Sequence, residues 1–204
     1  TRTERQRVQV VKSQQDDRTR DLRLGLIDEM NSWVYPYNFI DFETMAPAIP
    51  MYKGNHPYGS VAFQYSHHIL HADGRVDHKN QFLFDEVGKL PSIKFVESLQ
   101  AALEENEGTI FRYHNHENTI LRSIRSQIVQ RGKGPKESGL IEFIDSITKP
   151  TNKEHEGAST GERNMVDLHA MVKGYYYDPF MEGSISIKDV VPAIMNTSEF
   201  IQNK

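Results

Sequence analysis

The alternation of apolar and polar positions sets out most of the elements of this chain. From Trp33 to Thr44 the run WVYPYNFIDFET is aromatic and β-branched, the composition of a strand at the centre of a sheet. Pro47 and Pro50 end it. Ser60 to Leu70 predicts a second strand, and Asp73-Gly74 a hairpin turn into a third, Arg75 to Phe84, since Gly takes the positive φ that such turns need. Pro91 opens a helix in which Ile93, Val96, Leu99 and Leu103 recur at helical spacing; Pro suits the first turn because its missing N–H would be unpaired there. Gly108 stops that helix. Thr109 to Tyr113 predicts a short strand, and from His116 a helix carries Ile120, Leu121, Ile124 and Ile128 on one face, ending at Gly132 and Gly134. Leu140, Ile141, Phe143, Ile144 and Ile147 predict another helix, and Lys149 to Asn164 a loop rich in turn formers and charge. Met165 to Val172 begins a last unit, and Gly183 to Lys188 leads into a capped helix over Val190 to Met195.

The N-terminal stretch has a different texture. Thr1 to Leu24 holds seven basic residues (Arg2, Arg5, Arg7, Lys12, Arg18, Arg20, Arg23) against four acidic ones (Glu4, Asp16, Asp17, Asp21), with Val8, Val10 and Val11 its few apolar groups. Leu22, Leu24, Leu26, Ile27 and Met30 are then spaced like one helix face. Charge runs of this kind are usually solvated. Residues 1–32 are therefore expected to be an arm or linker with a short helix, and residues 33–204 the folded domain. A start in mid-pattern without an initiating Met suggests a piece of a longer polypeptide.

Composition narrows the class. At 204 residues the chain has room for one domain. Hydrophobic residues are 37%, on the low side, but an aromatic share of 10% supplies large apolar surface for a core and argues against wholesale disorder. The net charge of −4 removes the basic surplus of a protein that grips nucleic acid by charge alone. Any such partner needs local basic patches or metal ions. With no Cys, disulfides, thiol catalysis, Cys-ligated zinc and iron–sulfur clusters are excluded within the chain. No run approaches the ~18 apolar residues of a membrane span, and the first residues are charged rather than signal-like. The expectation is a cytoplasmic protein without a membrane partner.

The sharpest local feature is Asp41-Phe42-Glu43 near the end of the first predicted strand. Alternation puts Asp41 and Glu43 on one face and Ile40 and Phe42 on the other. Two neighbouring carboxylates on an apolar strand repel each other unless a cation neutralises them, which points to a hard divalent ion, Mg²⁺ or Mn²⁺; a solvated strand end explains the pair as well. A second acid, Glu117, falls at a strand-to-helix junction with Asn115 and His116, where helix capping is the plainer role. His67, His68, His71 and His78 crowd the second and third strands, but alternation sends His67 and His68 to opposite faces, and no zinc motif is present. No G-x-S-x-G elbow, P-loop or G-x-G-x-x-G occurs.

The order of these motifs resembles the α/β ribonuclease H-like fold of DEDD 3′–5′ exonucleases: a mixed sheet, its first three strands antiparallel and the later ones parallel, flanked by helices. Four stretches carry a closer likeness: FIDFET at Phe39 to Thr44, Pro57-Tyr58 with Phe63-Gln64-x-Ser66-x-His68, Phe111-Arg112-Tyr113-x-x-His116-Glu117-Asn118, and Gly183-Ser184-x-Ser186-Ile187-Lys188-x-Val190-x-Pro192-Ala193. Together they resemble an uncharacterised bacterial domain-of-unknown-function family, over about Tyr35 to Met195. That family usually lies C-terminal to a RecB-like nuclease domain, and its members are usually described as DEDD-type nucleases.

The resemblance implies a metal-dependent 3′–5′ exonuclease acting on nucleic acid, DNA ahead of RNA, with two Mg²⁺ or Mn²⁺ ions and a RecB-like domain in the same longer polypeptide. It implies Asp41 and Glu43 as metal ligands and catalytic acids, with Glu117 as the third. Asp167 is a candidate fourth, in a segment where such exonucleases carry a non-catalytic Asp. Phe42, Thr44, Asn115, His116 and Lys188 are candidate substrate contacts, with Arg112, the arm arginines and Tyr65 behind them; core packing is the alternative for Phe42. No Tyr- or His-led acidic motif follows Met195. That departure is expected to reflect truncation of the chain or an inactive domain. The alternative function is a non-catalytic ribonuclease H-like module that binds nucleic acid or a protein for an attached nuclease.

Overall fold

The charged N-terminal stretch is helical. In a computed structural model that describes residues 2–86, 88–132, 134–150 and 160–203, helix α1 (Arg2–Gln14) is followed by a short strand β1 (Asp21–Leu22) and helix α2 (Gly25–Asn31). The stretch's described residues are exposed or half-buried, and it is tied to the C-terminal part of the chain. The Arg5 guanidinium donates to the carbonyls of Val172 and Tyr176 and lies 5.6 Å from the centre of the Tyr177 ring. The chain divides into two packed units, one of residues 1–32 with 167–204, the other of residues 33–166.

The unit of residues 33–166 is built on β2 (Tyr37–Met45), β3 (Val61–Leu70) and β4 (Val76–Leu83), joined as antiparallel neighbours. The hairpin between β3 and β4 turns at Gly74, whose φ of +86° needs a residue without Cβ, and His71 N–H donates to the Arg75 carbonyl across it. Helix α3 (Ser92–Leu103) follows with Pro91 just before it, then β5 (Ile110–Arg112), α4 (His116–Arg131), α5 (Pro135–Ile147) and β6 (Val166–Asp167). The sheet order is β4-β3-β2-β5-β6, with β2 and β5 parallel, so the expected α/β mixed sheet flanked by helices is present. The predicted loop from Lys149 to Asn164 falls largely on residues 151–159, outside the described residues.

Gly108 is required by space. A Cβ there would meet the Pro36 carbonyl oxygen at 1.7 Å, because the chain entering β5 runs against the chain entering β2. Arg163 secures the same corner, donating to the carbonyls of Leu103, Asn106 and Gly108.

One face of the sheet is covered by the helices. Ile40, Phe42, Ala62 and Tyr65 join Phe95, Val96, Leu99 and Leu103 of α3, Ile120, Leu121, Ile124 and Ile128 of α4, and Leu140, Ile141, Phe143, Ile144 and Ile147 of α5 in one apolar core. This is the helical spacing of the sequence converted into packing. Arg125 locks α4 to α5 through a two-pronged pair with Asp145, at 2.7 and 2.9 Å.

The other unit completes the chain with α6 (Leu168–Tyr175), β7 (Tyr176–Tyr177), α7 (Ile187–Thr197) and α8 (Glu199–Gln202). β1 pairs antiparallel with β7, and Met181, Val190 and Ala193 form a small second core. Among the described residues no helix is long and apolar enough to cross a membrane.

Phe95 is the aromatic centre of the larger core. It is fully buried and meets Phe42, Tyr65 and Phe82 edge-on, with ring centres 4.9, 5.5 and 5.7 Å away. Phe95→Ala is expected to cost about 3–5 kcal/mol of stability, read as a fall in urea midpoint at unchanged slope.

Candidate functional site

Strand β2 has two chemically distinct sides. Asn38, Ile40 and Phe42 are buried beneath the helices, whereas Asp41 and Glu43 are exposed on the opposite side, where Tyr37 and Phe39 are half-buried. The two-residue repeat of a strand makes this separation unavoidable. Asp41 sits directly across from Ser66 and Glu43 from Gln64 on β3. Immediately after Glu43 the register shifts, with Thr44 pairing to Ala62 so that Phe63 is skipped. Such bulges bend a strand and re-aim its side chains, often beside active sites. Among the described residues no basic side chain lies within ion-pair distance of Asp41 or Glu43.

The strand-to-helix junction lies near the end of β2. Thr44 Oγ1 and His116 Nε2 are 3.3 Å apart, which joins the strand carrying Asp41 and Glu43 to the first residue of α4. His114 turns the chain into α4 with a φ of +72°, a left-handed conformation uncommon outside Gly. The Asn115 side chain bonds to Thr119 Oγ1 at 3.1 Å. Glu117, in the first turn of α4, is 3% exposed. Arg112, expected to reach a nucleic-acid backbone, is buried and donates to the His114 carbonyl.

A magnesium-like ion is commonly held by one or two carboxylates, with water and substrate phosphate completing its shell. Asp41 and Glu43 fit that donor requirement: two exposed carboxylates, on one face, two residues apart. Among the described residues no group of three or more His, Asp or Glu side chains is placed to hold a metal ion. Glu117, in the same unit as the pair, is therefore not gathered with it into a protein-only cage. Asp167 has another task, accepting from the N–H groups of His169 and Ala170 at 3.0 and 3.3 Å as the N-cap of α6. Phe42 is 4% exposed and packed on Phe95, on the side away from the acids, so core packing is its role. Tyr65 is likewise buried and bonded to Ser98. Lys188 lies exposed in the first turn of α7, its backbone N–H on the capping hydroxyl of Ser186.

The histidines separate as alternation requires. His67 is fully buried, and its Nε2 stands 3.0 Å from Asn38 Oδ1. Asn38 in turn exchanges side-chain hydrogen bonds with Asn106, at 2.9 and 3.2 Å. Of this polar trio Asn38 and His67 are buried and Asn106 is half-buried; in the sequence its only sign is a polar residue at the covered phase of β2 and of β3. His68, on the open side, faces His78 of β4 with ring centres 4.5 Å apart, and His71 pairs with Asp77 at 2.9 Å. The open side also holds Gln64 and Ser66, which composition alone did not single out.

A family model described as a domain of unknown function, DUF2779, matches residues 38–186. No curated protein and no solved structure matches the chain. The matched span contains Asp41, Glu43, Gln64, Ser66, His68, Glu117 and Asp167.

Burial pushes the His67 imidazole down to about 4, against about 6.5 for a free histidine. Between those values the unfolded chain takes up a proton that the folded chain refuses. The contribution is intact above pH ~6.5 and is lost progressively as the pH falls toward 4, by about 2–3 kcal/mol in all. Urea midpoints measured from pH 7 to pH 5 are expected to fall for the unaltered chain, and to fall less steeply for His67→Gln, which keeps a donor for Asn38.

Proposed function

The chain belongs to the DUF2779 family, a domain of unknown function, and we propose that it is a metal-dependent nuclease module of the ribonuclease H-like class. On this reading Asp41 and Glu43 hold a divalent cation, Mg²⁺ or Mn²⁺, at the phosphodiester backbone of a nucleic acid, DNA ahead of RNA. The observation that carries the reading is the placement of both carboxylates, exposed on one face at the end of β2, just before the register shift. The sheet order β4-β3-β2-β5-β6 supports it, since three antiparallel strands followed by a parallel partner on the far side of the acid-bearing strand is the arrangement that class uses. An attached RecB-like nuclease domain is the partner that the resemblance suggests.

Electrostatics explains why the acids need a cation. Two adjacent carboxylates repel a phosphate and each other, and a bound divalent ion reverses the sign of the site. Such an ion would polarise a phosphoryl oxygen and make a bound water more acidic. The protein's part is placement: the paired strands fix both carboxylates, and the Thr44–His116 contact holds the α4 junction beside them. A non-catalytic module is the second reading, favoured by the lack of a third metal-holding side chain among the described residues.

One assay separates the two readings. The chain is incubated with end-labelled single- and double-stranded DNA and RNA oligonucleotides and Mn²⁺ or Mg²⁺, beside Asp41→Asn and Glu43→Gln. Metal-dependent release of nucleotides is expected, reduced about 100-fold or more in either variant, the scale of removing a principal electrostatic contributor. Equal cutting by Asp41→Asn, or no cutting by any chain, would defeat the nuclease reading. Binding without cutting would support the non-catalytic module.

A further inference from the structure

Beside the acids, β3 presents a second row. Gln64, Ser66 and His68 stand directly across from Glu43, Asp41 and Phe39, and residues paired across antiparallel strands share one face with Cβ atoms about 4.5–5.5 Å apart. Gln64 is exposed and the other two are half-buried. Their neighbours on the covered side are committed, Tyr65 to Ser98 and His67 to Asn38. Among the described residues the side chains of Gln64, Ser66 and His68 have no hydrogen-bond partner. We propose that these three residues are the substrate-contacting row of the site, donating hydrogen bonds to the phosphodiester backbone of a single nucleic-acid strand laid along β3 beside Asp41 and Glu43. The inference rests on the metal-dependent reading of the acid pair.

The chemistry of the row complements that of the acids. A carboxylate is an acceptor only, whereas the Gln amide, the Ser hydroxyl and an imidazole N–H each donate. An anionic strand that meets a cation held at Asp41 and Glu43 and runs on the β3 side lays its neighbouring oxygens over that strand, about 4.8 Å away. Donors there hold those oxygens; further acids would repel them. Near this face Tyr35 offers an exposed ring, stacked at 3.9 Å on Tyr37, while Tyr37 and Phe39 pack on buried Phe111. Bases of a single strand stack on an exposed ring without sequence preference. In a duplex the bases are already paired and stacked, so a single strand is the better occupant.

The test uses fluorescence anisotropy with a labelled single-stranded oligonucleotide and Ca²⁺ or Mn²⁺, together with calorimetric titration of Mn²⁺ alone. His68→Ala and the double variant Gln64→Ala with Ser66→Ala are each expected to weaken oligonucleotide binding about ten-fold or more, the scale of losing hydrogen bonds to a charged group. Mn²⁺ affinity should stay unchanged. His68→Gln, which keeps a donor, should recover most of the loss, and Val76→Ala, at the far end of the same face, should bind as the unaltered chain does. If the row variants bind the oligonucleotide as tightly as the unaltered chain while Mn²⁺ still binds, the row is overturned and the acid-pair reading survives. If no chain binds Mn²⁺, the metal reading falls and the row, which rests on it, falls with it. If the unaltered chain binds neither, both fall.

Discussion

The two-sidedness of β2 is the constraint on which the larger unit depends. A strand that must bury Asn38, Ile40 and Phe42 against α3, α4 and α5 has to present Asp41 and Glu43 on its other side. The apolar core is thus what places the two carboxylates together. Sliding the strand by one residue would bury both charges and expose Phe42, at a cost that the core could not bear. Paired β3 on one side and parallel β5 on the other fix that register, and the shift after Glu43 marks where regular pairing gives way.

Much of this was legible in the sequence, for a physical reason. Strand and helix periods act over a few residues, so FIDFET, the Asp73-Gly74 turn and the Ile120, Leu121, Ile124, Ile128 stripe announce their own conformations and faces. The separation of His67 from His68 followed from the same rule and is seen in their burial. The Asp41 and Glu43 pair is the part of the candidate site that local pattern could find.

What was not legible depends on contacts between distant segments. Helix α1 has few apolar residues, and nothing local announces that Arg5 reaches the Val172 carbonyl, 167 residues away. The Asn38, His67 and Asn106 trio requires three separated elements to meet beneath the sheet. Gln64 and Ser66 belong to a stretch that carries the family likeness, but only the β2–β3 register sets them opposite the two acids. Phe42 shows the converse: its place between the two acids suggests a substrate contact, yet the alternation that exposes them buries it.

The divalent cation proposed at Asp41 and Glu43 is open to direct observation. Crystals of the chain soaked in Mn²⁺ and measured for anomalous scattering test that directly. An anomalous peak within coordinating distance of both carboxylates, absent from Asp41→Asn crystals, is the predicted result. Ordered Asp41 and Glu43 side chains with no peak between them would contradict it.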